Sequence, residues 1–522
     1  MWRRMLKATS GLAALLMVGC VELEVQNPNA PDAARALSTA GDVEALIGGA
    51  YDRWLYTQDY DGPTMFLSVA AGQHTAPYAN AGMEYYGRIP RVPTANNPGH
   101  RDAGNLTYAW YNSYRAISAV RDGLKQIADG TVDLQANTVR AQAFGKYMQG
   151  LAHGAVAVLY DSGFVYDETI DPLTVTLKPY PDVITAALGY LNEAITLAGS
   201  ASFTIPDTWM GQSVSSATLV QLAHSYRAIL RASVARNPAE RAAVDWAAVT
   251  ADANAGVTAD WDLVLDCNIL RFCGGGSWIA IMYMVFPGWE MQNNWVAGMA
   301  DQSGAYQAWI TTPLLDKQPF IVQTPDTRWP QGADEATQAA NPGEYYAVNE
   351  GDTRIWVRPD RGTWRWSYYT QMYEPFFTAS LDGDGSLPEV TLREMRLLVA
   401  EAAYRGGQLG TAANIVNESR TLHGLNATDA GGTNTSCVPK LPNGSCGDLW
   451  EMLKWEKRLE TQFAGLIRAG WYFDSRGWGD LMQGTILQLP VPFREMQLLE
   501  QAPYDLGGVG GVSAAPVGTY GY

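Results

Sequence analysis

The chain has 522 residues and sets 36 Lys and Arg against 53 Asp and Glu, for a net charge of −17. That balance argues against a nucleic-acid partner, whose phosphates call for basic side chains, while the length allows a large buried core. With 18 Trp and 27 Tyr, the chain can stack flat ligands such as sugars as well as fill a core.

Arg3, Arg4 and Lys7 precede an apolar run, Gly11 to Gly19, that is too short to span a bilayer. Leu16-Met17-Val18-Gly19-Cys20 resembles a bacterial lipobox, with Met17 where Leu is usual. This predicts removal of residues 1–19 as a signal peptide and acylation of Cys20, for example by palmitate. The body then hangs from a membrane by a lipid anchor, without a further span. Residues 21–36 read as an extended tether.

Thr39 with Asp42 resembles a capping box, and Ile47, Tyr51 and Trp54 follow on one helical face. Residues 60–107 read as irregular, rich in Gly, Pro and Asn. A train of amphipathic helices then follows at 107–128, 138–160, 181–198 and 215–235. Their apolar stripes run through Trp110, Ile117 and Leu124, then Phe144, Met148 and Leu151, then Ile184 and Leu191, then Leu219, Tyr226 and Ile229. From Trp261 to Glu389 helical periodicity fades into Gly, Pro, Trp and Tyr, which predicts loops and small strands. Helices return at 390–406, 411–422 and 447–482. The expected class is all-α: a tetratricopeptide-like superhelix of helix hairpins with a loop-rich, aromatic-rich insertion. Its parts are a helical region at 20–260, the insertion at 261–389 and a second helical region at 390–522.

Besides Cys20, four cysteines remain. They allow three pairings. Cys267–Cys273 and Cys437–Cys446 are expected, because each pair is close in sequence within a loop. A zinc site is disfavoured: neither pair has CxxC spacing and His423 is the nearby histidine. Asp382-Gly383-Asp384 opens like a calcium loop, but Leu387 stands at its sixth position and Arg393 at its twelfth. No metal or cofactor is expected.

Tyr108 to Ile117, Val139 to Phe144, Leu392 to Ala402, Ala412 to Arg420, Glu456 to Glu460 with Trp471 to Asp474 and Gly477-Trp478-Gly479, and Gln488 to Pro492 occur in an order that resembles the SusD/RagB family of outer-membrane lipoproteins. The spacing at Arg468-Ala469-Gly470-Trp471-Tyr472 departs from that family's pattern. The resemblance implies an all-helical fold with an inserted loop region. It also implies a surface-exposed outer-membrane protein that binds oligosaccharides and passes them to a SusC-like TonB-dependent transporter, and that is not an enzyme.

Sugars offer CH faces to aromatic rings and hydroxyls to polar groups. The early loop supplies His74, Tyr78, Asn80, Tyr85 and Tyr86 for such a site. The insertion supplies Trp289, Asn293, Trp295, Tyr306 and Trp309. Two alternatives are kept: a peptide ligand in the same role, and a surface glycoside hydrolase. For the hydrolase, Glu456 and Glu460 are the candidate acid pair. They lie one helical turn apart near Arg458 and Arg476, which favours a structural network instead.

Overall fold

A computed structural model describes residues 37–58, 62–75, 82–271, 291–349, 357–371, 385–462 and 464–506. The leader at 1–19, Cys20, Tyr78, Asn80, Cys273 and Trp289 lie outside these.

The first helix, α1 (Ala40–Leu55), begins where the Thr39 hydroxyl accepts from the Asp42 backbone N–H at 3.2 Å and donates to the Asp42 carboxylate at 2.6 Å. Its stripe of Val43, Ile47, Tyr51 and Trp54 is fully buried against α2 (Ala103–Ala128). Helices α3 (Thr138–Leu159), α4 (Tyr180–Ser200), α5 (Ser216–Ser233) and α6 (Trp246–Asn254) then pack each on the one before. Side-chain caps from Ser215 and Asp245 start α5 and α6, satisfying amides that have no partner within the helix.

Helix α3 is central, and every residue from Ala143 to Leu159 is buried. Two of its glycines make this possible. A Cβ on Gly150 would lie 2.5 Å from Leu191 Cγ, and one on Gly154 would lie 2.7 Å from a methyl of Leu230. Neighbouring helices therefore approach more closely than a side chain would allow. Each large apolar side chain buried this way contributes about 1.5–3 kcal/mol.

After the insertion, α7 (Leu392–Arg405), α8 (Leu409–Arg420) and α9 (Leu449–Glu460) form a three-helix group. Thr391 and Asp448 cap α7 and α9. The expected helical run at 447–482 is interrupted. Ile467 and Arg468 take left-handed backbone angles, φ 57° and 48°, in a short 3-10 turn, and α10 (Gly470–Trp478) follows.

Among the described residues, β-structure is confined to two-stranded pairs and isolated bridges, so the fold is all-α, as expected. One pair sits at the base of the insertion: Trp261–Leu265 runs antiparallel to Gly385–Val390. Helices α6 and α7, on either side of the insertion in sequence, pack directly on one another. The insertion thus leaves and rejoins a continuous helical frame.

The reading of 60–107 as irregular needs correction. Pro63–Ala70 is a helix with all eight residues buried, and Met83–Gly87 is a further short helix. A segment buried on every side shows no alternation of polar and apolar residues, so periodicity could not reveal it. Cys437 and Cys446 form a disulfide with Cα atoms 4.6 Å apart. Cys267 is also disulfide-bonded.

Candidate ligand-binding site

The early loop and the insertion meet along a short antiparallel ladder that pairs His74 with Gln292 and Thr75 with Met291. Two further contacts extend it: the Asn293 N–H donates to the Gln73 carbonyl at 3.1 Å, and His74 Nε2 lies 2.6 Å from Gln371 Oε1. These polar residues are buried. The amide side chains of Gln73 and Asn293 leave a nitrogen without a hydrogen-bond partner, which is costly away from water.

Beside this ladder lies a cleft of about 280 Å³. The early segment contributes Glu84, Gly87 and Arg88, and the insertion contributes Arg361, Trp364 and Arg365. Arg365 Nη2 donates to the Gly87 carbonyl at 2.8 Å and so ties the two walls together. Gly362, at φ 85°, ends the Pro359–Arg361 turn that carries Arg361 and Trp364 to the cleft. Glu84 holds Arg88 at 3.6 Å and Arg101 at 3.4 Å, all three partly exposed.

Behind Trp364 the rings form a column. Trp309 stacks on Trp364 with centroids 5.6 Å apart, and Tyr306 stacks on Trp309 at 5.9 Å. The Lys317 ammonium sits 4.1 Å from the centroid of Trp309 and donates to the carbonyls of Trp309 and Ile310. Burial lowers the Lys317 pKa.

The expected site residues divide on this geometry. Tyr306 and Trp309 stand behind the cleft and are buried, with the Tyr306 ring flat against Gly298, whose Cβ would meet it at 2.1 Å. Trp295 is buried away from the cleft, edge-on to Trp471 at 6.2 Å and under the Arg458 guanidinium. Asn293 caps the helix Asn294–Ala300. Tyr86 stacks on Phe66 at 4.4 Å. The Tyr85 hydroxyl donates to the Pro93 carbonyl and accepts from the Ala95 N–H, and its ring is partly exposed beside His100. His74 lies in the buried ladder.

Trp364, Arg361, Arg365 and Arg88 line this cleft and are not among the residues expected from the sequence. The sequence signal available was the basic–aromatic run Arg361-Gly362-Thr363-Trp364-Arg365. Trp364 and Arg365 are themselves largely buried, with the Arg365 guanidinium 5.6 Å from the centroid of the Trp364 ring, so the cleft offers part of one aromatic ring backed by a stacked column, beside the exposed guanidiniums of Arg88 and Arg361. That combination suits hydroxylated rings with apolar faces.

The acids Glu456 and Glu460 are placed otherwise. Glu456 contacts Arg328 at 2.8 Å and Arg420 at 3.5 Å, and Glu460 contacts Arg328 at 3.2 Å and His423 at 2.8 Å. Arg458 instead pairs with Asp480 at 2.5 Å, and the hydrogen bonds of Arg476 to the backbone go to carbonyls. Among the described residues no cluster of His, Cys, Asp or Glu could hold a metal, and no helix is long and apolar enough to cross a membrane.

Neither a protein-family model nor a curated protein sequence matches the chain. Solved structures do. A SusD homolog from Parabacteroides distasonis superposes with a TM-score of 0.57 at 12% identity, covering 91% of this chain and 97% of that one. A SusD superfamily protein from the same species gives 0.55 at 12% identity, covering 90% and 99%. A SusD-like protein from Bacteroides fragilis gives 0.53 at 14% identity, covering 91% and 98%. The chain therefore shares the fold of these solved structures.

Proposed function

We propose that this chain is a surface-exposed outer-membrane lipoprotein, anchored through Cys20, that binds oligosaccharides and passes them to a SusC-like TonB-dependent transporter. The observation that carries the reading is the cleft where the early segment meets the insertion, with Trp364 backed by Trp309 and Tyr306 and flanked by Arg88, Arg361 and Arg365. The likeness in fold to SusD-superfamily structures over nine-tenths of the chain supports it. A binding role without catalysis is favoured by the state of Glu456 and Glu460, whose side chains are 0% and 7% exposed and are held by Arg328.

Calorimetric titration of the mature chain with a panel of oligosaccharides tests the reading, with product analysis of the same mixtures. Binding without cleavage, weakened at least tenfold by Trp364→Ala, is the expected result. Cleavage products would replace it with the hydrolase, and binding of peptides alone would change the ligand class. The anchor is tested by labelling cells with a palmitate analogue, which should mark the wild type and not Cys20→Ala. Surface exposure and the handover are tested by protease shaving of intact cells and by co-purification of a transporter.

A further inference from the structure

A second cavity lies elsewhere. It has a volume of about 620 Å³ and lies between α1, α2 and the segment that ends the first strand of the insertion. Leu46, Ala119, Ile269 and Leu270 give it apolar walls, and Arg53, Arg115 and Arg271 stand around it, all three exposed. Asp52 is the acid that lines it. The Tyr56 hydroxyl donates to the Arg271 carbonyl at 3.2 Å, which fixes the backbone of Arg271 beside the end of α1.

Most of the described arginines are paired with acids. Arg140 meets Glu44 at 2.6 Å, Arg231 meets Asp252 at 3.0 Å and Arg241 meets Glu401 at 2.6 Å. Among the described residues, Arg53, Arg115 and Arg271 make no ion pair. Three guanidiniums without an ion pair stand around this cavity against one lining acid, Asp52, which makes it locally positive in a chain of net charge −17. Guanidiniums keep their charge at any physiological pH and present a planar fork that matches carboxylate, sulfate and phosphate oxygens.

Gly49 adds a second observation. It lies in the middle of α1 and lines the cavity, and a Cβ built on it meets nothing within 4 Å. A glycine inside a helix is destabilising relative to alanine, and no close neighbour requires one here. A larger side chain at this position has room to extend into the cavity.

We propose that this cavity binds an oxyanion, carboxylate or sulfate, carried on a compact body whose apolar face rests on Leu46, Ile269 and Leu270. The site is separate from the Trp364 cleft and does not depend on the function assigned to it.

The test uses the mature chain at low ionic strength, titrated with sodium sulfate, with trigalacturonate and with neutral maltotriose. Trigalacturonate should bind, and sulfate should compete with it. Arg115→Gln should weaken binding at least tenfold. Gly49→Phe should do the same by filling the cavity, with the thermal midpoint and circular dichroism unchanged. Any binding of maltotriose should be indifferent to both substitutions, which separates this site from the cleft. Sulfate binding alone, lost in both variants, would assign the cavity to a free inorganic anion. Absence of binding by both anionic probes, or binding that survives both substitutions, would overturn the proposal.

Discussion

The guanidiniums of Arg236 and Arg476 donate to one shared acceptor, the carbonyl oxygen of Val158 in the last turn of α3. Arg236 also reaches the carbonyls of Ala157 at 2.5 Å and Tyr160 at 3.0 Å, and Arg476 those of Ser233 at 2.6 Å and Leu487 at 2.6 Å. The C-terminal ends of α3 and α5 are thus capped by buried positive charge, where orphan carbonyls and the helix dipole favour it. Burial and the neighbouring guanidinium lower the pKa of Arg236, and burial pushes that of Arg476 down to about 10.

Replacing Arg476 by Met would therefore keep its bulk and strip several buried carbonyls of their donor. The expected loss of unfolding free energy is about 3–5 kcal/mol, read by denaturant titration. Arg476→Lys should recover only part of it, because one ammonium cannot span the same set of acceptors. A Met variant within 1 kcal/mol of wild type, a cut-off set against the usual net worth of a hydrogen bond of roughly 1 kcal/mol, would rule out this capping role.

Glu394 on α7 gives a pH-dependent expectation. Burial raises its pKa to about 8, against the opposing pull of the Lys457 ammonium, and its Oε2 has no hydrogen-bond partner. The folded chain then holds a proton that the unfolded chain releases near the ordinary value of 4.5. Stability from this group is complete below that value and falls as pH rises toward 8. Glu394→Gln should flatten the decline and stabilise the protein at pH 8 by roughly 2–4 kcal/mol. Parallel slopes in variant and wild type would contradict it.

His153 in α3 acts in the opposite sense. Burial lowers its pKa to about 4 from 6.5, and Nδ1 lies 2.7 Å from the Gln149 carbonyl while the ring packs on Tyr190 at 5.2 Å. The unfolded chain takes up a proton first as pH falls, so stability is complete above about 6.5 and declines toward 4. The decline should amount to roughly 2–3 kcal/mol and be absent in His153→Phe. Ring proton shifts of His153 that titrate near 6.5 by nuclear magnetic resonance would show the histidine to be solvated instead.

How far the sequence reaches is visible in particular residues. Ile47, Tyr51 and Trp54 were legible because α1 buries one face and exposes the other, so the period of 3.6 is written in the chain. Pro63–Ala70 was not, because burial on every side removes the contrast that periodicity needs. The early loop and the insertion do meet, with His74 and Asn293 at the ladder between them. Their burial was not legible, since it depends on Gln371 and Gln73 arriving from elsewhere in the chain. Trp364 lines the cleft next to Arg365, whose bond to Gly87 joins positions 278 apart in sequence.

The fate of Glu460 bears on catalysis as well as stability. Burial alone would raise its pKa, but hydrogen bonds from His423 and Ser419 and the charge of Arg328 hold it down to about 2. A carboxyl ionised down to that pH cannot serve as the proton donor that glycoside cleavage requires, since that role calls for a raised pKa. Its stabilising contribution is complete above about 4.5 and is lost as pH falls through 2. Glu460→Gln should thus cost on the order of 2–4 kcal/mol at pH 7, and the gap to wild type should narrow steadily below pH 4. Because Glu456 and Asp326 still neutralise Arg328 in that variant, the fold should persist and oligosaccharide binding should be unchanged. A variant that folds normally but loses binding would instead place Glu460 at the ligand, a role its position among Arg328, His423 and Tyr345 argues against.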